Sequence, residues 1–260
     1  MDTEQIDNLF RKIGTRLRVR ERPNSLTGRR FRARPFSIDI VTDKRGHEYF
    51  SLERRLPIKV EILDVRPDQR HLLMLVKSGD LTRKFLCGHD ERHYFATGVD
   101  EHARSVTDAM VKLQPDPVRK AAEMLPRDAR FSRANRAYKR QGEWFFVPAA
   151  KKLDKRVALR NEPIRRGRSK PHMCQYLVRS GGVNVMFHVQ YAPNGIAEAD
   201  YHKLNENRRK ASGWEHRVRD PEVYVKGAIS HPDHSTLMLR GWHRVYVNAE
   251  VLSEELAFLD

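Results

Sequence analysis

Ile58-Lys59-Val60-Glu61-Ile62, continued by the segment from Val65 through Arg66-Pro67-Asp68-Gln69 to Leu75, decides how this chain folds. The pentapeptide alternates apolar and polar residues, the period-two signature of a half-buried strand. Proline, aspartate and their polar neighbours then break the pattern before the apolar run Leu72-Leu73-Met74-Leu75-Val76. Two apolar runs around such a break predict a hairpin.

The same logic extends outward. Ser37-Ile38-Asp39-Ile40-Val41 alternates upstream, while Lys84-Phe85-Leu86-Cys87 and His93-Tyr94-Phe95-Ala96 flank the polar turn Gly88-His89-Asp90-Glu91-Arg92 downstream. A small antiparallel sheet over residues 36–99 accounts for all of it.

Helical patterns lie on either side. Ile6, Leu9, Phe10, Ile13 and Leu17 recur at helical spacing, with Thr3 placed to cap, which predicts an amphipathic helix over 3–20. Arg11, Lys12, Arg16, Arg18 and Arg20 fall largely off that stripe, and a basic loop follows at 21–35. Residues 105–141 read as helices punctuated by Pro115, Pro117 and Pro126, with Ser105 or Thr107 as first cap. In the third of these, over 127–141, Phe131, Ala134 and Tyr138 share one side. At 100° per residue, Arg130, Arg133, Arg136 and Arg140 stand about 140–260° from Phe131.

Gly142 to Pro148 reads as a strand, and residues 149–171 as a charged connector ending in Arg165-Arg166-Gly167-Arg168-Ser169-Lys170. Met173 to Arg179 and Val183 to Tyr191 bracket Ser180-Gly181-Gly182, a hairpin signal. A helix is predicted over 196–209. Val223–Val225, Leu237–Leu239 and a final strand at 243–247 complete the chain. Helices and strands come in runs, which points to α+β with antiparallel sheets and segregated helices rather than a doubly wound parallel sheet. Two lobes are expected, 1–148 and 172–260, joined by the connector. The competing arrangement is one domain in which the Trp144 strand pairs with the C-terminal sheet.

Composition limits the function. The 260 residues carry 39% hydrophobic and 32% charged side chains, with a net charge of +16, and aromatics at 8% argue against wholesale disorder. Residues 120–170 hold sixteen Lys or Arg against five Asp or Glu, or +11 in 51 residues. Like charge at that density destabilises a compact state unless a polyanion offsets it, and nucleic acid is the commonest. Arg130, Arg133, Arg136, Lys139 and Arg140, with Arg165, Arg166, Arg168 and Lys170, are therefore the candidate phosphate contacts. Tyr138, Trp144, Phe145 and Phe146 interleave with them, but a strand at 144–148 makes most of these rings core. The acidic, run-free start Met1-Asp2-Thr3-Glu4 is no secretory signal, no stretch is apolar enough for a membrane, and two distant cysteines imply no disulfide framework. A cytoplasmic protein is expected.

Two histidine-bearing tips carry candidate chemistry. In Cys87-Gly88-His89-Asp90-Glu91-Arg92-His93, the thiol and imidazoles form a potential zinc ligand set, or His89 beside Asp90 and Glu91 a general base. In His231-Pro232-Asp233-His234, a hairpin would let either imidazole approach His243 for acid–base or metal work. The plainer reading of each tip is an ordinary polar turn. There is no phosphate-binding Gly-rich loop, dinucleotide fingerprint, zinc-finger cysteine pair or hydrolase elbow. No cofactor is evident, though a divalent metal stays open. The leading expectation is a nucleic-acid-binding protein gripping the phosphate backbone without sequence readout. A histidine- or metal-dependent phosphodiester hydrolase, and an interaction module of a larger assembly, are the alternatives.

Overall fold

The computed structural model describes residues 3–21, 35–151, 153–166 and 169–250. Strand makes up 50% of the described residues and helix 17%, so the architecture is roughly compatible with the α+β expectation, with the weight on β. Among the described residues no helix is long and apolar enough to cross a membrane.

The chain forms two compact units that part after Lys120, earlier than the break expected at 148. The first unit opens with helix α1 (Thr3–Lys12), whose Ile6 and Phe10 are buried. The helical stripe ran on to Leu17 in sequence, but Gly14 takes the left-handed conformation (φ +87°) and ends the helix. Leu17 instead begins strand β1 (Leu17–Glu21). Strands β2 (Phe36–Thr42) and β3 (Glu48–Arg54) complete a three-stranded sheet in the order β1-β3-β2. The β1–β3 ladder is parallel, against the all-antiparallel expectation.

Strands β4 (Lys59–Arg66), β5 (His71–Ser78), β6 (Leu81–Asp90) and β7 (His93–Val99) form the expected antiparallel meander. The turn after Arg66 falls where Pro67 and Asp68 place it. In β5, Leu72, Met74 and Val76 enter one core with Phe10 and Phe50, while Leu73 faces Leu86, Val106 and Ala109 on the other side. A strand buried on both faces needs an unbroken apolar run, and Leu72–Val76 is that run. Helix α2 (Val106–Leu113) covers the second face; the Ser105 side chain accepts from Asp108 N at 3.1 Å, the expected cap. Helix α3 (Asp116–Ala122) follows with Pro117 in its first turn.

The arginine-faced helix at 127–141 does not form. A single 3-10 turn spans Asp128–Phe131. Asn135 Oδ1 then accepts from the amides of Ala137 and Tyr138, both at 2.9 Å, an Asx turn that reverses the chain. Tyr138 is buried, and strand β8 (Lys139–Gln141) follows. Strand β9 (Trp144–Pro148) pairs with the C-terminal sheet, not with the first unit.

Residues 149–171 are not wholly a connector either, because strand β10 (Leu159–Ile164) lies within them. Strand β11 (His172–Ser180) ends at Gly181-Gly182, expected to turn a hairpin. Both glycines take positive φ (+70° and +96°), yet strand β12 (Val183–His188) does not pair with β11. The pair turns a corner between sheets, and a Cβ on Gly182 would stand 2.5 Å from Val218 Cγ1. Strand β13 (Ala192–Ile196) contains Pro193-Asn194-Gly195, and the helix expected over 196–209 breaks into α4 (Glu198–Lys203) and α5 (Glu206–Arg209). Strand β14 (Glu215–Arg219) pairs with β12, closing a small β13-β12-β14 sheet. Strands β15 (Glu222–His231) and β16 (His234–Val247) complete the six-stranded antiparallel sheet β10-β11-β15-β16-β9-β8. Trp144, Phe146, Leu177, Val225 and Ile229 form its core.

Candidate functional site

The basic residues expected to hold phosphate do not form one face. Arg130 donates to the carbonyls of Leu125 (3.0 Å) and Glu123 (2.8 Å), stapling the segment that replaces the helix. Arg133 and Arg140 are half-buried, Arg136 is exposed, and Lys139 Nζ donates to Met238 O at 2.7 Å. Lys170 pairs with both carboxylate oxygens of Asp233 at 2.8 and 2.9 Å. Arg165 is exposed, and the amide of Arg166 donates to Ser169 Oγ at 3.3 Å. Arg168, together with residues 22–34 of the predicted basic loop, lies outside the described residues.

The basic concavity of the first unit involves different side chains. A cleft of about 1030 Å³ is lined by Arg11, Arg16, Arg18, Arg20, Lys44 and Arg45, along with Asp43, His47, Glu48 and Tyr49. Strand β1 alternates: Leu17 goes inward and Arg16, Arg18 and Arg20 go outward. The β2–β3 turn brings Lys44 and Arg45 to the same cleft. Its two acids are engaged within the fold. Asp43 accepts from the amides of Arg45 (2.8 Å) and His47 (3.0 Å), and these bonds hold its carboxyl below the usual carboxylate range. Glu48 takes His93 Nδ1 at 2.6 Å and the Tyr94 amide at 2.8 Å. Tyr49 is buried beneath the Arg18 guanidinium, 4.1 Å over its ring, and receives a 2.8 Å hydrogen bond from Arg20. Tyr49 is thereby closed to base stacking, and the exposed imidazole of His47 is the ring that lies open in the cleft. Arg16, Arg18 and Arg20 were visible in sequence as charges off an apolar stripe, but the β2–β3 turn that faces them carried no such signal.

The first histidine tip does not assemble the expected chemistry. Strands β6 and β7 run almost to the end, leaving Glu91-Arg92 as the turn, with Glu91 at φ +52°. Cys87 is fully buried, burial pushes its thiol far above its ordinary pKa, and it joins no group of close metal-ligand atoms among the described residues. His89 packs edge-on against Tyr94, with burial and the Arg70 charge lowering its pKa. His93, paired with Asp90 in the ladder, bonds Glu48 instead. Asp90 and Glu91 sit at this turn with no gathered metal-ligand set.

The second tip does gather imidazoles, with one change of member. His231 and His234 face each other across the Pro232-Asp233 turn. His243 lies far along β16, paired with Pro148 and Val225, because a 14-residue strand carries it away. The third imidazole is His172, which opens β11 beside the end of β15. Ring centroids of His172 stand 4.2 Å from His231 and 5.7 Å from His234. His172 is 1% exposed, and neither ring nitrogen has a hydrogen-bond partner. Burial, reinforced by the neighbouring imidazoles, pushes its pKa down to about 3. No spacing rule linked His172 to residues 59 and 62 positions later; the β11-β15-β16 ladder does.

His243 has a separate consequence. Burial lowers its pKa and Lys139 adds to the shift, while its Nδ1 contacts Gly241 O at 2.8 Å. The folded state resists this proton more than the unfolded chain does. Stability from the neutral ring is therefore intact above about pH 6.5, the ordinary imidazole value, and falls as pH drops below it. Urea midpoints should decrease from about pH 7.5 to about pH 5.5, and His243→Gln should flatten that decrease. An unchanged slope would refute the assignment.

Comparison with family models, curated proteins and solved structures finds no match.

Proposed function

We propose that this protein binds nucleic acid through the phosphate backbone, with the first unit's basic cleft as the principal contact. One observation carries the reading: six arginine and lysine side chains line a single concavity whose two carboxylates are already committed to backbone amides and to His93. Asp7 pairs with Arg11 at 3.0 Å and lies 3.9 Å from Arg16, yet the cations of the cleft outnumber the acids around it, so a net positive potential remains that raises the local concentration of a polyanion. The chain's net charge of +16 acts in the same direction. Guanidinium groups present planar donor pairs that match phosphate oxygens. Tyr49 is covered by Arg18 and Arg20, so the contacts are electrostatic and sequence-independent rather than stacking-based.

Affinity for a short duplex and for a single strand, measured across a salt series, tests this reading. If the six basic groups neutralise about six phosphates, log K falls against log salt with a slope near −5 for duplex and near −4 for single strand. Binding that ignores salt, or no binding to either, would overturn it.

A further inference from the structure

We propose that His172, His231 and His234 form a three-imidazole site for a borderline divalent cation, zinc foremost. The inference is independent of the phosphate-binding reading and concerns the second unit alone. Three adjacent strands deliver the ligands: His172 begins β11, His231 ends β15 and His234 begins β16. One nitrogen from each lies within 4.8 Å of the others. Nitrogens around a tetrahedral zinc at bond lengths of about 2.0–2.1 Å stand about 3.4 Å apart. Closing any pair by at most about 1.5 Å therefore completes the set. The rings now stack, with interplanar angles of 23° to 34°, so they turn about χ2, a soft torsion, to converge.

The surroundings explain why a cation fits better than packing alone. A buried polar atom without a partner costs free energy, and such atoms are rare in folded proteins. Both nitrogens of His172 are in that state, as are Gln141 Oε1 and Trp144 Nε1 in the β8–β9 hairpin. Trp144 meets His172 edge-on at 6.3 Å. Between Gln141 and Trp144, Gly142 at φ +56° turns its bare Cα to the cluster. A Cβ there would lie 3.0 Å from His234 Nε2 and 3.7 Å from His172 Nε2. The space that glycine leaves is on the side of those two Nε2 atoms. Against this, His231 Nδ1 accepts from the Asp233 amide at 3.2 Å, a long bond of modest strength. Three imidazoles without thiolate suit zinc, copper or nickel rather than magnesium or calcium, and leave a fourth position for water.

The test uses the full chain, stripped with a chelator and dialysed, then titrated with Zn²⁺ by calorimetry and with Co²⁺ by visible absorption. One equivalent should bind, and Co²⁺ should give the intense bands of a four-coordinate ion. His231→Ala and His234→Ala, at a partly exposed turn where folding is checked by circular dichroism, should each weaken Zn²⁺ binding more than about 100-fold. His243→Gln should bind as the parent does. Absence of a four-coordinate Co²⁺ spectrum in the parent, or Zn²⁺ affinity in the His231 and His234 variants equal to the parent's, would overturn the site.

Discussion

Phe50→Ala should destabilise the first unit by about 3–5 kcal/mol, a large fraction of the 5–15 kcal/mol typical of whole domains. Phe50 is completely buried at the centre of β3, opposite Leu17 on one side and Ile40 on the other. Its ring meets Phe10 at 5.0 Å and Tyr94 at 5.7 Å, so truncation empties a space shared by α1, the three-stranded sheet and β7. The lost transfer energy and the unfilled cavity add, because packed surroundings relax only in part. Leu56→Ala, at a residue 55% exposed, should cost less than about 0.5 kcal/mol. Urea unfolding separates the two: the Phe50 midpoint falls at unchanged m-value while the Leu56 midpoint hardly moves. Equal midpoints would mean that β3 is not the keystone of this core. The effect should reach the proposed phosphate contacts as well, since Arg11 lies on α1, Arg18 on β1 and Arg16 just before β1, and these elements seat Phe10 and Leu17 against this core.

The parts of the fold legible in sequence are those set by neighbours a few residues apart. The β4–β7 meander follows from alternation and from Pro67-Asp68, and the Ser105 cap follows from a side chain reaching an amide three residues on. Residues 127–141 show where that reading fails. Phe131, Ala134 and Tyr138 have helical spacing by coincidence, while Asn135 offers its own backbone a competing turn and Tyr138 finds burial in the second unit's core region. Gly181-Gly182 permits a hairpin turn or a sheet-to-sheet corner equally well, and tertiary pairing of β11 with β15 decides between them. The candidate site residues divide in the same way. His231 and His234 were visible because a two-residue turn joins them, whereas His172 reaches them through strand register. The cleft arginines of β1 were visible as misfit charges, and their partners Lys44 and Arg45 arrive only through the nonlocal parallel pairing of β1 with β3.

Reversing three cleft charges, Arg16→Glu, Arg18→Glu and Arg45→Glu together, should lower nucleic-acid affinity at least about 100-fold at low salt. The estimate follows from roughly 1 kcal/mol for each solvated ion pair to phosphate, with 1.4 kcal/mol per tenfold change. Repulsion from the new carboxylates adds to the loss. Because about three phosphate contacts disappear, the salt slope should also become shallower by about 2–3. That second readout separates a lost interface from a damaged fold, since a partly unfolded protein would lose affinity without a matching change in slope. All three residues are exposed, and Arg18 over Tyr49 and Arg16 beside Asp7 make only surface contacts, so the unfolding midpoint should fall slightly while the fold is kept. Arg130→Glu and Lys170→Glu serve as the contrast. Arg130 donates to backbone carbonyls and Lys170 to Asp233, so these changes should disturb local structure in the second unit while leaving the slope near its parental value. If the contrast variants flatten the slope and the cleft triple does not, the phosphate contacts belong to residues 120–170, where the sequence concentrates its charge, and the cleft is only a solvated basic surface.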